Sequence, residues 1–586
     1  MSTVVSPSPA SAPPAAIPAG WARRRGDGLQ SLIWVVTAGL IVVPLLPLVY
    51  ASFRSRPLYE PGGVFTLDGY RTLLSDHAFW SAVLSTVEFA ATVTVISVAV
   101  GGGLAVLCER TDLPGRKAIT WLAILPILLP PLGLIMGWST LYGDGGYLTS
   151  FITGTLHLPW DLGTPWGMGV MGAAVSVPIA LITTRAALRA ADPALEDAAR
   201  ISGASTIRVL SRITVPMVRP AFLSAGVLIF TISLEQLGIP IFLGAQHNVN
   251  FIASYLYNTW SNSPTPDPAS VSAGAVLLLA VASAMIVLRR RLIGDEQRFV
   301  SSPDADTRRR APLPLRGWRA PLSLLVIAYL AVTIFAPVGG VVLASFVSLL
   351  TPLISPFKLL TLDNFHAVFS DPTLSSSIRN SLIVAGAGSV ATTALIALAT
   401  LVAHRSSFVL RRSLRFLMFY PRSVPGIIVS LAFFWSFLFF VPPGAWVRSN
   451  LIGEVIALAV RGIPLAYMIM YPSLVRIATE LDDAARVAGA GWWTTSRRVV
   501  LPLLRPAMLG SLVILFVAIL SDYEAAIFLA KPNTELMSVV MLQLYARGTQ
   551  GPPAALAVLQ LGITAIVLGA GALVFARSTR GGRRRA

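Results

Sequence analysis

The sequence predicts an all-α polytopic membrane protein of about 12 transmembrane helices, built as two tandem six-helix repeats. Three observations predict it. Of 586 residues 55% are hydrophobic and only 12% charged, about half the charged share of a soluble domain. Apolar runs of about 20 residues, the length that crosses a hydrocarbon layer as a helix, recur along the chain. Finally, a polar, basic stretch occurs twice: LEDAARISGASTIRVLSRITVPMVRPA at 195–221 and LDDAARVAGAGWWTTSRRVVLPLLRPA at 481–507, aligned without a gap at an offset of 286.

Taken in order, residues 1–30 read as a tail, rich in Pro, Ala and Ser before Arg23, Arg24 and Arg25, too polar and too irregular to fold. The apolar run from Leu32 to Ser52 is long and lacks a small-residue cleavage site, so it reads as a first span and not as a signal peptide. Further spans are expected near 80–107, 118–141, 166–187, 219–243 and 270–288, which completes a first repeat over 31–290. A basic linker, 291–320, follows. The second repeat, 321–578, places spans near 321–346, 379–403, 414–440, 453–473, 507–530 and 553–576, before a basic tail at 579–586. The 453–473 segment is the least apolar fit because it contains Arg461.

Net charge is +18, but its placement argues against nucleic acid. The segments 1–30, 108–117, 185–219, 289–320, 404–415, 476–505 and 577–586 alternate with the spans to one side and hold 35 of the 45 Lys and Arg residues. The opposite loops at 143–165 and 244–269 hold none. Positive charge marks the cytoplasmic side, so both termini and both copies of the repeated stretch are expected there. The single Cys108 excludes an internal disulfide, and His77, His157, His247, His366 and His404 show no ligand spacing. No metal ligand set is expected.

The duplication extends beyond the loops. Thr66-Leu67-Asp68-Gly69-Tyr70 matches Thr361-Leu362-Asp363-Asn364-Phe365 at an offset of 295, kept by Asp76/Asp371, Pro126/Pro421 and Pro130/Pro425. After the third span the offset falls by nine, because the loop near Tyr142–Thr164 is longer in the first half. Pro178/Pro464 then share the offset of the repeated stretch. Two parallel repeats of this kind occur among transporters.

Each repeated loop, 191–221 and 477–507, is expected to fold as two short helices at an angle. Asp192-Pro193 suits a helix start, and Thr479 with Asp482 offers a variant capping box. Gly203 and Gly489 suit the left-handed position that ends a helix, and a second short helix leads to Pro216 or Pro502. The small side chains of Ala198, Ala199, Ala484 and Ala485 would admit another protein's backbone. A well-capped loop without a partner would explain one such copy; two matched copies favour two docking surfaces.

This pattern, Asp-Ala-Ala, three residues, Gly, nine residues, Ile or Val, one residue, then Val-Pro or Leu-Pro, resembles the EAA signature of permease subunits in binding-protein-dependent ABC importers. Asp197 and Asp483 stand where Glu is usual. The resemblance implies that the loops form coupling helices seated on a separate ABC ATPase dimer, through Asp197, Ala198, Ala199, Arg200, Gly203 and Pro216, and through Asp483, Ala484, Ala485, Arg486, Gly489 and Pro502. It also implies an extracytoplasmic solute-binding protein. The fused two-repeat form, with SLEQLGIPIFLG at 233–244 and SDYEAAIFLA at 521–530, is similar to ferric-iron permeases. Thiamine, polyamine, phosphonate and sulfate permeases are related alternatives.

None of Lys117, Lys358 and Lys531 lies in a phosphate-cradling G-x-x-x-x-G-K-[ST] loop. The chain is therefore expected to be a transport subunit and not an enzyme, to bind no cofactor, and to rely on a partner for ATP. Ionisable groups inside spans are costly and tend to face a cavity or one another. Glu88, Glu235, Arg422, Asp522 and Glu524 are the candidates for a solute path; the plainer alternative is that Glu235, Asp522, Glu524 and Arg422 form structural pairs or lie in outer loops. A 12-span secondary transporter shares the span count but gives no reason for the matched loops; a scaffold or sensor would need a soluble domain that no linker here can hold.

Overall fold

The computed structural model describes residues 20–583 except 150, 158, 192–193, 265, 294–311, 352 and 441–442. The expected Asp192-Pro193 helix start, most of the basic linker and the Pro-rich part of the N-terminal tail lie outside the described residues. Among the described residues, nine helices are long and apolar enough to cross a membrane, and twelve spans result when each of three bent helix pairs is taken as one. The twelve are Gly28–Ser52, His77–Arg110, Arg116–Leu128 with Pro131–Tyr142, Pro165–Ala190, Thr206–Met217 with Arg219–Ser233, Pro268–Arg289, Arg316–Ser345, Pro372–Arg405, Arg411–Arg422 with Gly426–Phe439, Ile452–Val475, Trp492–Ser521 and Gly551–Phe575. The first helix already begins at Gly20, inside the segment expected as a tail.

Local chemistry fixes the element ends, and it does so twice. Asp76 caps the second span by accepting from the Ala78 N–H, and Asp371 caps the eighth by accepting from Thr373 and Leu374. Each cap satisfies a backbone donor that the helix leaves without a partner. The third and ninth spans break at corresponding places, with bends of 103° and 109°. Pro126 and Pro130 border the first break and Pro421 and Pro425 the second, where proline removes a ladder donor and crowds the preceding turn.

Two spans end earlier than expected. The fifth helix stops at Ser233 and the eleventh at Ser521, not near 243 and 530. In the second half, Asp522 takes an extended conformation and its carboxylate accepts from the Ala525 N–H at 3.1 Å, which turns the chain out of the helix. In the first half Gly238 and Pro240 fall in the corresponding stretch. Thr206–Met217 meets Arg219–Ser233 at 59°, whereas Trp492–Ser521 runs through. Both carry the same prolines, Pro216/Pro220 and Pro502/Pro506, so proline alone does not set that bend.

The halves interlock. The first span lies against the second half: Trp34 donates to Ser413 Oγ at 2.9 Å, and Leu45–Ser52 packs on Gly426–Phe439. The seventh mirrors this, with Ala336–Ser345 on Pro131–Tyr142. There the backbones approach so closely that a Cβ on Gly137 would lie 1.9 Å from the Pro337 carbonyl oxygen.

Candidate functional site

The first helices of the two repeated loops fold alike, whereas the expected second short helix is separate only in the first copy, Thr206–Met217, and in the second runs on into the eleventh span, Trp492–Ser521. Ala194–Ile201 and Glu480–Val487 are helices of 8 residues each. Both end as expected: Gly203 and Gly489 each have φ +80°, conformations that glycine enters without a Cβ penalty. The Gly203 N–H donates to the Arg200 carbonyl and the Ala204 N–H to the Ala199 carbonyl, both at 3.0 Å. The pairs Gly489–Arg486 and Ala490–Ala485 repeat this at 2.9 Å, the double closure of a Schellman motif.

The expected Thr479–Asp482 capping box does not form, because the Thr479 side chain makes no capping bond and Asp482 turns inward to Arg405 at 2.6 Å. That contact belongs to a clamp which sequence reasoning missed. Arg405, at the end of the eighth span, also donates to the Leu474 carbonyl at 3.0 Å. In the first half Arg110 bonds Glu196 at 2.9 Å and the Leu188 carbonyl at 2.7 Å. All four charged partners are buried, where breaking a pair is costly. The signal was present: Arg110/Arg405 keep the offset of 295, while Glu196/Asp482 and Leu188/Leu474 keep 286.

With the inner carboxylate tied down, the opposite face of each loop helix is open. Asp197, Asp483, Ala198 and Ala484 are exposed, Ala199 and Ala485 half-buried. Arg200 pairs loosely with Asp197 at 3.8 Å and Arg486 with Asp483 at 3.4 Å. Ile201 is 89% and Val487 91% exposed, at corresponding positions. Pro216 and Pro502 lie where the loop feeds into the next span.

Where the spans break off, four ionisable side chains converge. Arg461 of the tenth span contacts Asp522 at 2.7 Å, Glu524 at 2.9 Å and Glu235 at 3.5 Å. The Gly426 N–H, at the start of the helix after the ninth-span break, donates to Glu235 at 3.2 Å. A Cβ on Gly426 would lie 2.5 Å from the Glu524 Cβ and 2.8 Å from Arg461 Cζ. Glu235, Asp522 and Glu524 come from the chain just past the two shortened helices, so the cluster joins both halves where regular backbone stops. Arg422 is exposed and lies within electrostatic range of Glu235 and Arg461. Glu88 takes no part: it lies on the exposed face of the second span, between exposed Leu84 and Val95. Arg461 itself, which in the sequence only weakened the span, is the hub; an arginine in an apolar run needs partners.

Residues 97–293 and 395–580 each match the family described as binding-protein-dependent transport system inner membrane component. The chain belongs to that family. Each half of the permease is thus one family unit, and both loops fall inside the matched segments. The ferric transport system permease protein of Actinobacillus pleuropneumoniae is 25% identical over 520 residues, 87% of this chain and 72% of the relative. A Haemophilus influenzae protein provisionally named a ferric transport system permease is 25% identical over 511 residues, 85% of this chain and 77% of the relative. A half-length relative, the trehalose transport system permease protein of Mycobacterium tuberculosis, is 23% identical over 274 residues, 45% of this chain and 95% of its own. The permease is a multi-pass inner-membrane transport subunit of an ABC importer.

Proposed function

We propose that this permease forms the path of an ATP-driven importer of ferric iron, worked by a separate ATPase dimer through the two loop helices. The observation that carries the reading is the matched pair of loop helices. Each is clamped from beneath by a buried Arg–carboxylate bond and presents an almost fully exposed Ile201 or Val487. Large apolar side chains left open in identical settings suit burial by a partner, and two copies suit a two-fold partner. In this reading the loops, the basic linker and both termini face the cytoplasm, and a solute-binding protein delivers cargo at the opposite ends of the spans. ATP-driven closure of the dimer would bring the loops together and switch the path between its two openings. Asp197, Ala198, Ala199, Arg200, Gly203 and Pro216, with their second-half counterparts, make the coupling surface. Glu235, Asp522, Glu524 and Arg422 line the route, with Arg461 holding the three carboxylates in place.

Iron as the cargo is supported by the full-length relatives named as ferric transport permeases and by the acidic excess at the cluster. The test is reconstitution in proteoliposomes with the cognate ATPase and binding protein. ATP-dependent iron uptake is expected. Uptake on an ion gradient without the ATPase would overturn the reading in favour of a secondary transporter.

A further inference from the structure

At the ends of the spans opposite the paired loops, three side chains from separate turns meet. Asp144 follows the third span, Asp161 precedes the fourth, and His247 ends a short 3-10 helix, Ala245–His247, beyond the fifth. His247 Nε2 lies 3.1 Å from Asp144 Oδ2 and 3.7 Å from Asp161 Oδ1, and one ligand atom from each residue falls within 4.8 Å of the other two. The other ring nitrogen, Nδ1, is 3.3 Å from the Leu243 carbonyl. A carbonyl oxygen only accepts, so a bond there places a proton on Nδ1. Nε2, which faces two carboxylates, then either carries a second proton as an imidazolium or offers its lone pair to a cation between them.

The surroundings hold this geometry. A Cβ on Gly163 would come within 2.2 Å of the imidazole, so the loop can close on the ring only with glycine there. The Gly163 N–H also donates to Asp161 Oδ1 at 2.7 Å. A histidine whose far nitrogen is tied to a carbonyl, beside a carboxylate held by backbone, has the outer-shell arrangement of metal sites. Ligands about 2.1 Å from a common ion lie about 3.0–3.6 Å apart for angles between 90° and 120°, close to the two distances from His247. Asp144 and Asp161 are 56% and 49% exposed, which leaves coordination positions open to solvent. The corresponding second-half positions hold Phe439, Val447 and Asn533, so the set is no by-product of the duplicated fold.

We propose that Asp144, Asp161 and His247 bind a first-row transition-metal ion, the class suited to mixed carboxylate and imidazole donors. On the import reading above, and resting on it, this is where metal cargo first touches the permease.

The test is Mn(II) titration of the purified full chain in detergent, without ATPase, followed by electron paramagnetic resonance of free Mn(II). The expected result is one tightly held Mn(II) per chain, with affinity lowered about 100-fold or more in Asp144→Asn/Asp161→Asn and at least about tenfold in His247→Gln. Unchanged size-exclusion and circular-dichroism profiles will report that the variants are folded. A chain that holds no Mn(II), or a double variant that holds it as the parent does, overturns the proposal; in the first case the three groups are a protonated ion pair only. Mn(II) bound by a permease that fails ATP-driven iron uptake overturns the cargo reading and leaves the site standing. Iron uptake by a permease that holds no Mn(II) does the reverse.

Discussion

Arg461 shows how a single residue can organise a region. Three carboxylates converge on one guanidinium, and removing it would leave their charges facing one another in a poorly solvated setting. Breaking a buried pair costs about 3–5 kcal/mol. Arg461→Leu is therefore expected to lower the thermal midpoint and abolish uptake. Adding Glu524→Gln removes one of the stranded charges, and should restore part of the midpoint without restoring uptake. A thermal-shift series on the single and double variants checks this; an unchanged midpoint in Arg461→Leu would mean that the cluster is not held as described. The acidic members were visible in the sequence as ionisable groups in apolar runs, but their convergence was not. Glu235 and Asp522 are far apart in the chain, and they meet only because both helices stop short. Glu88 looked equivalent in the sequence, and only its helical face separates it from the others.

At the scale of elements, the loop helices were the most legible part of the chain, since Gly203 and Gly489 announce their ends and duplication aligns them. Their attachment was less legible, because Arg110 and Arg405 sit in neighbouring spans under a different offset. Arg110→Ala and Arg405→Ala should each strand a buried carboxylate and loosen one loop helix. Loss of ATPase stimulation by more than about tenfold is expected in either, and partial recovery in Arg110→Ala/Glu196→Ala, where no charge is left unpaired. ATPase assays on the reconstituted complex read this directly. At the helix ends, Gly203→Val and Gly489→Val place a β-branched residue at a positive φ, costing about 1–2 kcal/mol, and add a side chain on the side proposed to dock. Both are expected to uncouple ATP hydrolysis from uptake, which paired hydrolysis and uptake measurements will reveal.

For the whole molecule, hydropathy gave the number of spans, but the bends in three of them were not read from the sequence. What hydropathy could not reveal is the interlocking, since apolar periodicity does not say which half a span packs on. Coexpressed halves divided within 294–311 should copurify, because the first span donates from Trp34 to Ser413 and the seventh lies on Gly137. Gly137→Val should abolish copurification. Affinity capture through a tag on one half measures both outcomes.

The crossed first and seventh spans also bear on how the protein is made. When the ribosome has released only the first six helices into the bilayer, the groove over Gly137 still lacks the helix that fills it, and the opening helix lacks its seat. Neither defect can be mended until the later helices insert. A half-finished chain is therefore a natural target for quality-control proteases, and interruption of synthesis near the midpoint should leave no durable fragment.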